Sequence, residues 1–177
     1  MDAYCAAEDA VALERPDAKA MRDDLGRLYD EHAAAVYRLL LAMLGSPEDA
    51  QDALSEVFLK ASRLGPKRIR NPRAYLLAAA RHQAISILRR RRRETSVDAS
   101  DVRFFDTGGL DPERVILAGR IEAALRELPP EQREVIVLKV YEEMTFAEIA
   151  SITRTRANTV ASRYRYAVER LRRALED

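Results

Sequence analysis

Between residues 154 and 166 the chain gathers Arg154, Arg156, Asn158, Thr159, Ser162, Arg163, Arg165 and Tyr166. Guanidinium, amide and hydroxyl groups at this density can hydrogen-bond phosphate oxygens and the edges of bases. The surrounding stretch, residues 145–173, reads as two short helices separated by a turn. Thr145 followed three residues later by Glu148 is a capping box, which satisfies the free amides at a helix start. Phe146, Ile149, Ala150 and Ile152 then form an apolar stripe, the TRTRAN segment interrupts it, and Val160, Tyr164, Val168 and Leu171 resume it at three- and four-residue spacing. That pattern fits a helix-turn-helix unit. Off the second stripe lie Asn158, Ala161, Ser162, Arg165, Tyr166, Glu169 and Arg173, as a helix in a major groove requires, although a solvated arginine-rich helix carries a similar pattern.

Catalytic and metal chemistry find no such concentration. His32 and His82 are the only histidines, and neither belongs to a spacing that holds a metal. The glycines are scattered apart from Gly108-Gly109, so no phosphate-cradling loop is present. Glu142 and Glu143 lie beside a cap, where solvated charge is the ordinary expectation. No serine near either histidine forms a nucleophile constellation. The expectation is a protein with no catalytic residue, no metal and no cofactor.

The charge of this 177-residue chain totals only +1, yet residues 61–93 contain no Asp or Glu while Arg63, Lys67, Arg68, Arg70, Arg73, Arg81 and the run from Arg89 to Arg93 crowd in. Acidic residues collect near the N-terminus and again from Glu94 to Asp111. This asymmetry is expected of a protein that meets a polyanion at defined places. The single cysteine, Cys5, excludes an intrachain disulfide, and the absence of an apolar run near 18 residues argues against a membrane span, so a cytoplasmic location is expected.

The elements that must position these groups follow from periodicity. Residues 1–19 read as an acidic flexible tail. Leu25, Leu28, Tyr29, His32, Val36, Leu39, Leu40 and Met43 line a helix that Gly45 ends. Ser46-Pro47 restarts the chain as cap and first-turn proline, with Ala50, Ala53, Leu54, Val57, Phe58 and Ala61 buried. Asn71-Pro72 opens a third helix with Tyr75, Leu76, Ala79, Ala80, Ile85 and Leu88 inward. Residues 94–110 read as an acidic flexible linker. Asp111-Pro112 opens a helix through Val115, Ile116, Ile121, Leu125 and Leu128, and residues 131–141 form the next, with Val135, Ile136, Leu138 and Val140 buried. The reading is all-α, in two small helical domains at residues 20–93 and 111–177.

Two blocks together resemble the extracytoplasmic-function (ECF, group 4) class of bacterial RNA polymerase sigma factors. SPEDAQDALSEVFLKASRL followed by NPRAYLLAAARHQAISILRRRRR is similar to that family's region 2, and LPPEQREVIVLKVYEEMTFAEIASITRTRANTVASRYRYAVERLRRAL is similar to region 4. The resemblance implies that Asp49, Asp52, Glu56, Val57 and Phe58 dock on core RNA polymerase. It implies that Asn71, Arg73, Tyr75, Arg81, His82, Ser86 and Arg89 open the promoter and hold the single strand of the -10 element. A basic groove would attract the strand and a pocket for an unstacked base would add selectivity. In the second block, Arg154, Arg156, Asn158, Thr159, Ser162, Arg163, Arg165 and Tyr166 correspond to the unit that reads the -35 element. The linker would thread through the polymerase, and an anti-sigma factor is the implied partner besides promoter DNA.

The chain departs from the family pattern at several positions. Tyr75, His82 and Ser86 stand where Trp, Asn and Asp are usual, and Ala161 stands where many relatives carry Lys or Arg. The turn carries Arg154, Thr155 and Arg156 where Gly, a hydrophobic residue and Ser are common. This removes the residue best suited to positive φ and leaves Thr155 as a candidate cap for the second helix. The rival readings are a helix-turn-helix regulator acting at an operator without polymerase, and a DNA-processing enzyme such as a recombinase.

Overall fold

The computed structural model describes residues 16–94 and 111–176. Most of the expected tail, with Cys5, and the acidic linker after Glu94 lie outside the described residues. Seven α-helices follow in order: α1 (Pro16–Leu44), α2 (Pro47–Leu64), α3 (Pro72–Glu94), α4 (Pro112–Arg126), α5 (Pro130–Ile136), α6 (Phe146–Thr153) and α7 (Ala157–Glu176). No strand occurs among the described residues. α1 begins at Pro16, inside the expected tail, with proline in the first turn where its missing N–H costs nothing.

The helix ends follow local chemistry. The Ser46 hydroxyl accepts from the Asp49 amide, the Asn71 side-chain carbonyl accepts from Ala74, and the Asp111 carboxylate accepts from Arg114. Gly45 and Gly65 take positive φ where α1 and α2 end, a conformation that a Cβ penalises. A 3-10 turn, Pro66–Arg68, then links α2 to α3.

α1, α2 and α3 form an N-terminal unit around Val36, Leu39, Leu40, Leu54, Val57 and Leu76, and α4 to α7 form a C-terminal unit. The cores of the two units are continuous. Val135, Leu138, Met144, Ile149, Ile152 and Val160 join the same cluster of buried side chains as α1 to α3, because α5 and the turn after it pack on α1, and α6 packs on α3. A smaller cluster of Leu125, Leu128, Ile136 and Ala167 fastens α4 and α5 to α7.

The fifth helix differs from the expected single element. After Ile136 the chain winds as a π-helical turn, Val137–Tyr141, in which the Glu142 amide donates to the Val137 carbonyl. One extra residue per turn rotates the side chains that follow. Val140, expected to be buried, is therefore exposed, and Glu142, expected to be solvated, is 4 % exposed. On α7 the inward stripe is Val160, Tyr164, Ala167 and Leu171, and Val168 faces out, since 167 continues the four-then-three spacing better than 168. Val115 and Ile116 are also exposed, because the first turns of α4 extend past the helix it packs on, and the contact with α7 is made by Ile121 and Leu125.

Candidate nucleic-acid interface

The helix-turn-helix is built as its capping signals require. Thr145 Oγ1 accepts from the Glu148 amide at 3.2 Å while the Glu148 carboxylate accepts from the Thr145 amide at 2.7 Å. The Thr145 hydroxyl also donates to the Glu148 carboxylate at 2.7 Å, and this bond first, then the one from the Thr145 amide, holds the Glu148 carboxyl below its ordinary range. Arg154 ends α6 in the left-handed conformation, φ 53° and ψ 44°, without glycine. The expected capping role of Thr155 is not realised. Its hydroxyl pairs with that of Thr153 at 2.9 Å, and α7 starts at Ala157, so the residue at the cap position is Arg156.

Of the expected recognition residues, Arg154, Arg156, Asn158, Thr159, Arg165 and Tyr166 are exposed and Ser162 is half-buried with its hydroxyl donating to the Asn158 carbonyl. Positions 158, 162, 165 and 166 recur at one-face spacing, so the turn and the outer face of α7 present one continuous set of donors. The Arg165 guanidinium lies 5.2 Å from the Tyr166 ring centroid, a cation–π contact that pre-orders both. Arg163 is different. It points inward, with Nη1 fully buried and within electrostatic reach of Glu134.

The residues expected on the -10 strand divide in the same way. His82, Ser86 and Arg89 are exposed at four- and three-residue spacing along α3, and Asn71 is exposed at its start. Tyr75 is half-buried against the core. Arg81 and Arg73 are engaged by the C-terminal unit. Arg81 Nε donates to Glu134 Oε1 at 2.6 Å, and Arg73 Nη2 donates to the Glu142 carboxylate at 3.1 Å and to the Glu142 carbonyl. Arg38 of α1 completes the cluster, donating to Glu142 Oε1 from Nη2 at 2.8 Å and from Nε at 3.1 Å. Burial pushes the Glu134 carboxyl up, and the Arg81 guanidinium opposes that push only in part.

Beside Asn71 and Arg73 a cavity of about 420 Å³ opens between α1 and the start of α3, with Asp24, Arg27, Glu31 and His32 on its α1 wall. On α2 the acidic face consists of exposed Asp52 and Glu56 and half-buried Asp49, which pairs with Arg91. Val57 and Phe58 are core residues, at 0 % and 6 % exposure, with the Phe58 ring tilted against Tyr29 at 4.8 Å. Leu59, exposed on the acidic face, was not singled out in the sequence, because a lone apolar residue on a helix surface is ordinary.

Glu134, Glu142, Arg38 and Arg133 were also missed. Arg133 donates to the carbonyls of Ala42, Arg126 and Leu128, closing the ends of α1 and α4 together, and desolvation pulls its pKa down. The Arg-Glu pair in LPPEQREV was the available signal, but sequence shows neither partner. Among the described residues no group of His, Cys, Asp and Glu is placed to hold a metal ion, and no helix is long and apolar enough to cross a membrane.

Comparison with known proteins fits this arrangement. Residues 28–94 match the model for Sigma-70 region 2, and residues 118–171 match that for Sigma-70, region 4. The chain is 33% identical over 156 residues to the ECF RNA polymerase sigma factor SigL of Mycobacterium tuberculosis, spanning 85% of this chain and 88% of that protein. It is 28% identical over 145 residues to the RNA polymerase sigma factor SigV of Bacillus subtilis, spanning 80% and 85%. Among solved structures, the sigma factor RpoE in complex with the anti-sigma factor NepR from Bartonella quintana shares the fold with a TM-score of 0.72 at 22% identity, covering 89% of this chain and 98% of that one.

Proposed function

The chain belongs to the ECF RNA polymerase sigma factors, and we propose that it is a group 4 transcription initiation factor that joins core RNA polymerase and directs it to promoters through -10 and -35 elements. The observation that carries this reading is the pairing, in one chain, of two separate donor-rich helix faces, one on α3 of the region 2 match and one on α7 of the region 4 match. One face alone would serve an operator-binding regulator. Two faces on separate units suit two separated DNA elements.

Each residue set has a physical role in this mechanism. Arg154, Arg156, Asn158, Thr159, Ser162, Arg165 and Tyr166 enter the -35 major groove, Arg165 and Tyr166 supplying the longest reach to base edges. Arg163 acts through Glu134 and the packing of α7 instead. On α3, His82, Ser86 and Arg89 follow the -10 strand with Asn71, Arg73, Tyr75 and Arg81. The cavity beside Asn71 receives a base taken out of the stack, because a protein that melts DNA without fuel must hold the exposed strand better than the duplex. Asp49, Asp52 and Glu56 meet basic side chains of the polymerase, with Leu59 as the apolar contact and Val57 and Phe58 supporting the helix from beneath. The chain acts in the cytoplasm as a binding factor without catalysis of its own, on core polymerase and promoter DNA, and an anti-sigma factor controls it. The occurrence of its fold in a sigma factor bound to NepR supports that last element.

The test is to add the protein to core polymerase and a promoter library. Sequence-selective initiation is the expected result, and its absence removes the proposal. Reversing the charges of Asp52 and Glu56 to Lys should abolish initiation while leaving binding of the isolated chain to duplex DNA in place. Unchanged activity would favour the operator-binding reading.

A further inference from the structure

The run from Arg89 to Arg93 reads in sequence as one basic surface, and the structure divides it. Arg89 and Arg90 are exposed, whereas Arg91 is half-buried and reaches back across the junction of α1 and α2. Its Nη1 donates to the carbonyl of Leu44, the last residue of α1, at 3.2 Å, and its Nη2 pairs with Oδ2 of Asp49 in the first turn of α2. The Leu44 carbonyl has no partner within its own helix and sits at the negative end of the helix dipole, so a guanidinium is favoured there. The same guanidinium thus closes the two-residue turn Gly45-Ser46 from the α3 side, and Ser46 closes it from within by accepting from the Asp49 amide. Asp49 keeps 31 % of its side chain exposed, on the helix face that carries exposed Asp52 and Glu56 at three- and four-residue spacing.

We propose that Arg91 is a positioning residue for polymerase docking and not a contact to the DNA strand: it holds the Asp49 carboxylate in place at the head of the acidic face that core polymerase meets. This rests on the reading of that face as the polymerase contact. Two acceptors in different helices need two donors in a fixed plane, which a guanidinium supplies and an ammonium does not. A carboxylate held this way loses little freedom when a partner binds, whereas a freely rotating one must be ordered at the moment of docking. The pair also neutralises part of the Asp49 charge. Attraction over distance therefore falls to Asp52 and Glu56, and Asp49 contributes geometry. Because Arg91 belongs to α3, the helix that carries His82, Ser86 and Arg89, the clasp also fixes the strand-facing helix relative to the polymerase-facing one.

The experiment titrates the full chain onto core polymerase and reads initiation at a promoter, separating the half-saturating concentration from the plateau. Arg91→Lys keeps the positive charge and loses the fork. A strand phosphate accepts that exchange, and a clasp on two acceptors does not. Arg91→Lys should raise the half-saturating concentration roughly tenfold, as loss of one charge-assisted bond does, and reach the wild-type plateau. Arg89→Ala, at an exposed strand donor, should lower the plateau. A lowered plateau with an unmoved half-saturating concentration in Arg91→Lys would overturn the proposal. A second variant separates positioning from folding. Asp49→Arg combined with Arg91→Asp restores the ion pair, so its melting temperature should return to the wild-type value, but it leaves no carboxylate at position 49 and the half-saturating concentration should stay raised. Its return to the wild-type concentration would mean that the pair serves the fold alone, and would also overturn the proposal. Asp52→Lys is titrated in parallel: unchanged docking in that variant removes the reading of the acidic face itself, an outcome seen separately from a failure of Arg91.

Discussion

The outer faces of α3 and α7 carry similar side chains in dissimilar surroundings. On α7, Arg165 and Tyr166 are exposed and stacked on each other, and the arginines nearer the end of the helix make i,i+4 pairs with glutamates of the same helix, Glu169 to Arg173 and Glu176 to Arg172. On α3, Arg73 and Arg81 are held by carboxylates more than 50 residues away in the chain. The α7 face is thus presented by local structure, and the α3 face is governed by how the two units meet. Surface pairs of the first kind contribute little to stability. In pairs of the second kind the carboxylates are buried while Arg73 keeps 45 % and Arg81 19 % of its side chain exposed, so the arginines' surroundings depend on how the two units meet.

The test with the largest expected effect asks whether the two units stand or fall together. Leu138 is fully buried in the shared core, and Leu138→Ala should cost about 2 to 5 kcal/mol. Urea unfolding followed with separate probes on α3 and α7 should show both transitions moving together; movement of the α7 probe alone would mean that the seam is not cooperative. Next in size is the open face. Arg165→Ala should weaken promoter use by about 1 to 3 kcal/mol and relax base preference at one position of the -35 element. An unchanged preference in a promoter library would remove Arg165 as a reader.

A smaller effect belongs to the capping box. Thr145→Ala should destabilise the C-terminal unit by about 1 kcal/mol, measured by thermal unfolding. Because the Glu148 carboxyl titrates below its ordinary range when folded, its stabilising contribution is present above the unfolded-state value and is lost as pH falls through the folded one. That loss should shrink in Thr145→Ala, which removes the hydroxyl donor and leaves the backbone amide in place. The smallest signal, of opposite sign, comes from Glu134. Its folded carboxyl titrates above its ordinary range, so the folded state holds the proton more tightly and stability falls as pH rises from the unfolded value through the folded one. Glu134→Gln should remove that slope in a pH series of melting curves, and a slope unchanged by the substitution would show that burial does not control this group.

Helix number and most boundaries were legible in the sequence because they rest on neighbours. Ser46-Pro47, Asn71-Pro72, Asp111-Pro112 and the Thr145-Glu148 box each satisfy backbone groups within a few residues, and the structure uses all four. The donor face of α7 was legible for the same reason, since three- and four-residue spacing is a local property. Errors arose where a distant partner or a change of helical pitch intervened. Val140 and Glu142 exchanged places because a single extra residue in the turn after Ile136 shifted the register, and Val168 yielded to Ala167 because packing, and not hydrophobicity alone, selects the inward stripe.

Sequence by itself determined an all-α chain of two helical units, the caps that start its helices and the donor-rich helix faces of α3 and α7, since each follows from periodicity or from groups a few bonds apart. Tertiary structure alone decided which of their side chains are available. The carboxylates that engage Arg38, Arg73 and Arg81 lie 53 to 104 positions away, and no spacing rule links residues that meet only when one helical unit closes on the other.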